Sequence, residues 1–162
     1  MFSPALLALA EDVLNAARRT GVKIATAESC TGGLIAGLLT EIPGSSDVLD
    51  RGFVTYSNAA KEKMLGVPRA LLEAHGAVSE AVARAMAEGA LRNSDAVVAV
   101  AVTGIAGPGG GTAEKPVGLV HVAVAREGRE TLPREFRLGE IGRGAVRMKT
   151  VEEALRLALR AM

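Results

Sequence analysis

The apolar positions of this chain change period several times, and each change marks an element. Leu6, Leu9, Val13 and Ala17 recur at helical spacing, with Ser3 placed to cap the helix, Pro4 to open it and Gly21 to end it. Residues 22–26 form a short apolar run that reads as a buried strand. A helix of small residues is expected over 31–40, then a turn over 42–46. The pattern predicts a second strand over 50–56, short helices over 58–65 and 68–74, and a longer helix over 80–92 capped by Ser79. Val97-Val98-Ala99-Val100-Ala101-Val102 is the most hydrophobic run, and its unbroken apolar character predicts a strand buried on both faces of an α/β sheet. A loop follows over 104–116. A strand over 117–125, a turn at Glu127-Gly128 and a strand over 131–138 read as a hairpin, and a helix over 142–160 closes the pattern. Helices alternating with the first three strands, then a hairpin, predict a single domain over 1–162. Its fold class is α/β, a three-layer α/β/α sandwich with a mixed, mostly parallel five-stranded sheet.

Composition narrows the picture. A chain of 162 residues, 49% apolar, suits one sizeable core. With three Phe, one Tyr and no Trp, that core is built from small aliphatic side chains, and the lone Tyr56 stands out. A formal net charge of +1 and the scarcity of stacking aromatics speak against a nucleic-acid partner. The single cysteine, Cys30, excludes an internal disulfide and points to a reducing compartment. The first residues lack a basic region, Glu11-Asp12 interrupts the apolar stretch, and no run reaches membrane-spanning length. The expectation is a cytoplasmic protein with no signal peptide and no membrane partner.

Candidate chemistry begins at Thr26-Ala27-Glu28-Ser29-Cys30-Thr31-Gly32-Gly33. Ser29 falls on the link between a buried strand and a helix N-terminus, where backbone N–H groups favour developing negative charge. Its hydroxyl is either a helix cap or a nucleophile. A nucleophile needs a base within reach. Neither His75, in a loop, nor His121, alternating with apolar residues in a strand, is an evident partner, and no Gly-x-Ser-x-Gly elbow is present. Lys61 is the other candidate. With Asn58 as N-cap it lies in the first helical turn, where the macrodipole disfavours its ammonium, and burial would disfavour it further. The alternative is a solvated surface lysine. Lys61 and Lys63 are separated by about 200° of helix rotation. Lys61 shares a face with Met64 and Leu65 and is expected inward, Lys63 outward.

Tyr56 ends the second strand, at the edge where open α/β sheets place their sites. Its phenol is either a proton relay or orienting group for Lys61, or a rim tyrosine. The glycine-rich loop over 104–116 is neither a Walker A loop nor a dinucleotide fingerprint, so Thr103 and Gly104 at the strand end are the better ligand contacts. Arg143 and Arg147, four apart, are either a phosphate clamp or a solvated helix face. Cys30 is either a small buried hydrophobe or a second nucleophile. Cys30, His75 and His121 lack metal-ligand spacing, so no metal is expected.

Together these segments resemble one family. Ala27-Glu28-Ser29-Cys30-Thr31-Gly32-Gly33, then Gly52-Phe53-Val54-Thr55-Tyr56-Ser57-Asn58 with Lys61, are similar to its first two signatures. His75-Gly76-Ala77-Val78-Ser79-Glu80, Thr103-Gly104-Ile105-Ala106-Gly107-Pro108-Gly109-Gly110 and Lys115-Pro116-Val117-Gly118 are similar to the rest. The family is the CinA C-terminal domain, which includes the nicotinamide-nucleotide amidohydrolases called PncC. The resemblance implies deamidation of nicotinamide mononucleotide to nicotinic acid mononucleotide and ammonia, in pyridine-nucleotide recycling. It implies catalysis by Ser29, Lys61 and Tyr56, and homo-oligomers, most often dimers. Glu28, Thr31, Gly32, Gly33, Thr103, Gly104 and Arg143 are the expected substrate contacts. The amides of residues 31–33 are candidate oxyanion donors, and no cofactor is expected. Residues 138–142 look longer than the usual family connection, which leaves the phosphate role of Arg143 open. The alternatives are a non-catalytic nucleotide-binding module and, from the family's name alone, a competence or DNA-damage accessory protein.

Overall fold

The structure, a computed structural model, describes residues 2–162. Helix α1 (Pro4–Thr20) starts and stops where the sequence places it: Ser3 Oγ accepts the Leu6 N–H, and Gly21 closes the helix at φ 67°. Strand β1 (Ile24–Glu28) runs two residues further than expected, because both its neighbours pair with it as far as Glu28. Helix α2 (Leu34–Thr40) starts three residues late, with the preceding residues forming a tight turn at Gly33, φ 96°. There follow β2 (Leu49–Val54), α3 (Asn58–Leu65), α4 (Arg69–His75), α5 (Glu80–Arg92), β3 (Val98–Gly104), β4 (Leu119–Arg126), β5 (Leu132–Arg137) and α6 (Arg143–Ala161).

The strands lie in the order β2-β1-β3-β4-β5, with β1 parallel to both β2 and β3, and β4 antiparallel to both β3 and β5. Only β4 therefore runs against the rest, and the sheet is mixed and mostly parallel, as expected. Its two faces differ in side-chain size. Val98, Val100, Val102, Val120, Val122 and Val124 pack towards α1, α2 and α6. Ala99, Ala101, Ala123 and Ala125 pack towards α5 and, with it, α3 and α4. The valines supply burial, roughly 1.5–3 kcal/mol for each fully buried side chain. The alanines let α5 approach the sheet closely. This is why the central run shows no polar alternation: both faces are covered.

The same small-residue packing fixes α3. A Cβ placed on Gly89 of α5 would lie 2.1 Å from the Leu65 carbonyl oxygen, a backbone atom that cannot swing aside. Gly89→Ala therefore pushes α3 off α5. We expect a net stability loss of about 1–3 kcal/mol, read from the denaturant midpoint, despite the gain in helix propensity.

The chain leaves β1 through α2 on the valine face and enters β3 from α5 on the alanine face. The C-terminal ends of β1 and β3 thus flank a point where the helices diverge to opposite sides of the sheet, the usual place for a binding crevice. Ser29 directly follows β1 at this point.

Candidate active site

Ser29 is held by the sheet before any side chain is considered. Its N–H donates to Val102 O at 3.1 Å, extending the β1–β3 ladder by one residue. Its Oγ meets Lys61, whose Nζ donates to Ser29 Oγ at 3.0 Å and to Thr55 O at 2.8 Å. Lys61 is 1% exposed, and no carboxylate lies within ion-pair distance of it among the described residues. Burial without a counter-charge holds its ammonium below the ordinary lysine range. Lys63 is exposed, as expected from the helix geometry. The cap differs from expectation: Ser57, not Asn58, is the N-cap, its Oγ accepting the Ala60 N–H at 3.0 Å. Lys61 is therefore the fourth helical residue, and burial rather than the helix end dominates its environment. Met64, expected on the same face, is 41% exposed; only Leu65 packs inward with Lys61.

These groups open into a cavity of about 200 Å³ lined by Ser29, Cys30, Tyr56, Lys61, Thr103, Arg143 and neighbouring residues. A larger cleft of about 570 Å³ between α1 and α6 is walled by side chains such as Leu6, Leu9 and Met148 and holds no nucleophile–base pair. Chemistry, not size, selects the smaller one.

Tyr56 does not bridge Lys61 and Ser29. It is 62% exposed, and Arg143 NH2 donates to its hydroxyl at 3.0 Å. Arg143 also donates to Gly107 O at 2.9 Å, so the pair spans the cavity wall from β2 to the glycine-rich loop. Thr103 Oγ1 donates to Ala77 O at 2.9 Å and ties the end of β3 to the loop before α5. Gly104 is glycine for packing, since a Cβ there would lie 2.8 Å from Val120 Cγ2. Both border the cavity. The Cys30 thiol is buried, and burial pushes it up to about 11, so it is not a thiolate near neutral pH. His121 is buried 3.8 Å from Glu135, and neither histidine hydrogen-bonds Ser29.

Glu28, Thr31, Gly32 and Gly33 correct the expected list of substrate contacts. None lines the cavity. The Glu28 carboxylate is fully buried and accepts from Thr31 Oγ1 at 2.6 Å, from the Gly33, Ile35 and Ala36 amides at 2.9–3.1 Å, and from Thr26 Oγ1 at 3.4 Å. A side chain from the preceding strand thus caps α2 and takes the Gly33 amide, one of the three candidate oxyanion donors. Gly32 N–H donates to Ser29 O at 3.0 Å. Arg147 is no phosphate clamp either: its Nε donates to Cys30 O at 3.0 Å and NH2 to Thr31 O at 2.9 Å. Accounting for the amides of residues 29–36 leaves those of Cys30 and Thr31 without a carbonyl or carboxylate acceptor among the described residues; Thr31 is fully buried, and only Cys30 borders the cavity.

Sequence reasoning missed the capping role of Glu28 and the backbone role of Arg147. A glutamate at the end of a largely apolar strand, three residues before a threonine, was the available signal for the first; nothing local signals the second. Among the described residues no three His, Cys, Asp or Glu side chains form a metal-binding group, and no helix is long and apolar enough to cross a membrane.

Known proteins share this arrangement's sequence and shape. A CinA-like protein of Anaeromyxobacter dehalogenans is 60% identical over 144 residues, covering 86% of this chain and 35% of that protein. This chain thus spans about a third of the length of such relatives. The crystal structure of competence/damage inducible protein CihA from Agrobacterium tumefaciens superposes with a TM-score of 0.95 at 54% identity, covering 99% of this chain and 98% of that one. The competence damage-inducible protein A (ComA) from Klebsiella pneumoniae superposes with a TM-score of 0.91 at 35% identity, over 96% and 95% of the two chains. Residues 6–162 match the CinA C-terminal domain, and the chain belongs to that family.

Proposed function

We propose that this chain is an amidohydrolase that deamidates nicotinamide mononucleotide to nicotinic acid mononucleotide and ammonia, without a metal, in cytoplasmic pyridine-nucleotide recycling, and that it works as a homodimer. The observation that carries the reading is the 3.0 Å contact between Ser29 Oγ and a buried Lys61 that has no carboxylate partner. A neutral lysine amine keeps two N–H groups and one lone pair. One N–H stays on Thr55 O, and the lone pair takes the serine proton.

The steps balance without a further reagent. Ser29 Oγ attacks the carboxamide carbon as its proton passes to Lys61 Nζ. The carbonyl oxygen becomes an oxyanion, and the amide of Cys30, the residue after the serine and part of the cavity lining, is the donor nearest to receive it. Lys61 returns the proton to the departing nitrogen, the C–N bond breaks and ammonia leaves. Water then attacks the acyl-serine, with Lys61 again taking a proton and returning it to Ser29 Oγ. Tyr56 and Arg143 form a polar wall suited to the ribose phosphate rather than a proton relay.

The test is ammonia release by the pure chain from nicotinamide mononucleotide, with chelator present. We expect stoichiometric ammonia and nicotinic acid mononucleotide. Binding of the mononucleotide without ammonia would instead identify a nucleotide-binding module.

A further inference from the structure

We propose that Asn58 is a specificity residue that reads the ribose diol of the substrate at the mouth of the cavity. This deepens the amidase reading and rests on it. The hydroxyl, amide and charged side chains around the cavity are those of Ser29, Tyr56, Asn58, Lys61, Thr103 and Arg143. All but one are already committed. Ser29 and Lys61 bond each other, Tyr56 and Arg143 bond each other, and Thr103 donates to Ala77 O. The Asn58 side chain alone makes no hydrogen bond among the described residues, because Ser57 caps α3 in its place. Its amide keeps two N–H donors and an acceptor oxygen.

Helix geometry sets that amide beside the chemistry. Asn58 and Lys61 are three residues apart on α3 and share a face. Helical side chains lean towards the N-terminus of their helix. Lys61 does so, since its Nζ reaches Thr55 O, six residues back. The reacting end of Lys61 therefore lies level with the first turn of α3, where Asn58 stands. Lys61 is buried and Asn58 is exposed, so one marks the floor of the cavity and the other its rim.

The size of the cavity then divides the substrate. About 200 Å³ is less than the roughly 300–1,000 Å³ of sites that enclose a whole drug-sized ligand. It suits the pyridine ring and carboxamide, against the small apolar walls of Ala77, Val78 and Ala106. The sugar, bonded to the ring nitrogen, lies across the rim. Each of its two vicinal hydroxyls donates and accepts, a match for the donors and acceptor of a primary amide. The phosphate, an anion, is matched instead by the Arg143 guanidinium.

The test compares Asn58→Ala with the parent on three amides: the mononucleotide, its riboside without phosphate, and 1-methylnicotinamide, which keeps the charged ring and has no sugar. Ammonia release gives kcat and KM, and calorimetry in a Ser29→Ala background gives Kd without turnover. KM and Kd for the mononucleotide and the riboside should each rise about tenfold, the size of one or two lost neutral hydrogen bonds, with kcat and Tm unchanged. Those for 1-methylnicotinamide should not move. A loss confined to the mononucleotide would make Asn58 a phosphate contact. An equal loss on all three, or a fall in kcat, would place it at the ring or in support of Lys61. No loss on any would leave it without a contact. Each of these results overturns the proposal. If the parent releases no ammonia, the amidase reading fails and the Kd pattern alone decides on Asn58; a chain that binds neither ribosyl amide ends both.

Discussion

Ser29→Ala and Lys61→Met are each expected to lower kcat for ammonia release by roughly 10⁴-fold or more, because under the proposed mechanism the two groups act as one unit. Neither change removes much packing. Ser29 is small, and its backbone, not its hydroxyl, joins the sheet. Lys61→Met fills nearly the same volume and removes a buried charge that no carboxylate balances, so its Tm should be at or above the parent's.

The pH dependence gives an independent check. Burial lowers the folded-state value of Lys61 from the ordinary 10.5, so the unfolded chain binds more protons between the two values. The burial cost of the ammonium is fully present below the folded-state value and is relieved as pH rises towards 10.5. The Tm advantage of Lys61→Met should therefore shrink with rising pH. Over the same rise the fraction of neutral base grows, and kcat/KM of the parent should climb along one ionisation below the usual lysine range. A flat profile would remove Lys61 as the base. A rising profile retained in Lys61→Met would assign the ionisation to another group.

Much of this architecture is legible in the chain because local signals and burial agree. Ser3, Gly21 and Ser79 bound their helices as their chemistry predicts. The run from Val97 to Val102 announces a doubly covered strand. The inward face of α3 is readable too, since Lys61 and Lys63 cannot both face the core. What was not legible depends on long-range contacts. Asn58 and Ser57 are both good caps, and only the observed bond to the Ala60 amide decides between them. Glu28 looks like a site carboxylate because it adjoins a candidate nucleophile, yet its donors lie as far as eight residues downstream, on a helix whose start was misplaced. Tyr56 was paired with Lys61 by proximity in sequence. Its actual partner, Arg143, is 87 residues away, and no local pattern carries that pairing. Arg147 reaches Cys30 across 117 residues. The Ser29–Lys61 contact could be inferred because a serine proposed as a nucleophile needs a base within reach; Glu28 and Arg147, which hold the turn, were hidden because any buried anion or cation could fill such roles.

Glu28→Ala is expected to be the most destabilising single change at this site, by about 4 kcal/mol or more, a large share of the roughly 5–15 kcal/mol that keeps a domain folded. It strips acceptors from the Gly33, Ile35 and Ala36 amides and from Thr31 Oγ1 and leaves a void where a fully buried side chain stood. Each unsatisfied buried donor costs about 1–3 kcal/mol, and no water reaches the void as readily as it reaches an ordinary helix end. Glu28→Gln keeps the volume but presents an N–H₂ group to donors on one side, so its denaturant midpoint should fall between parent and alanine. Both variants should lose kcat along with stability, because the freed turn no longer holds Ser29 opposite Lys61. A substrate contact behaves differently: it raises KM and leaves the unfolding midpoint in place. Denaturant midpoints and KM measured on the same two variants therefore separate the roles. A raised KM at unchanged stability would return Glu28 to the substrate site, whereas a lowered midpoint with KM unchanged in the glutamine variant fixes it as the anchor of the turn that carries the nucleophile.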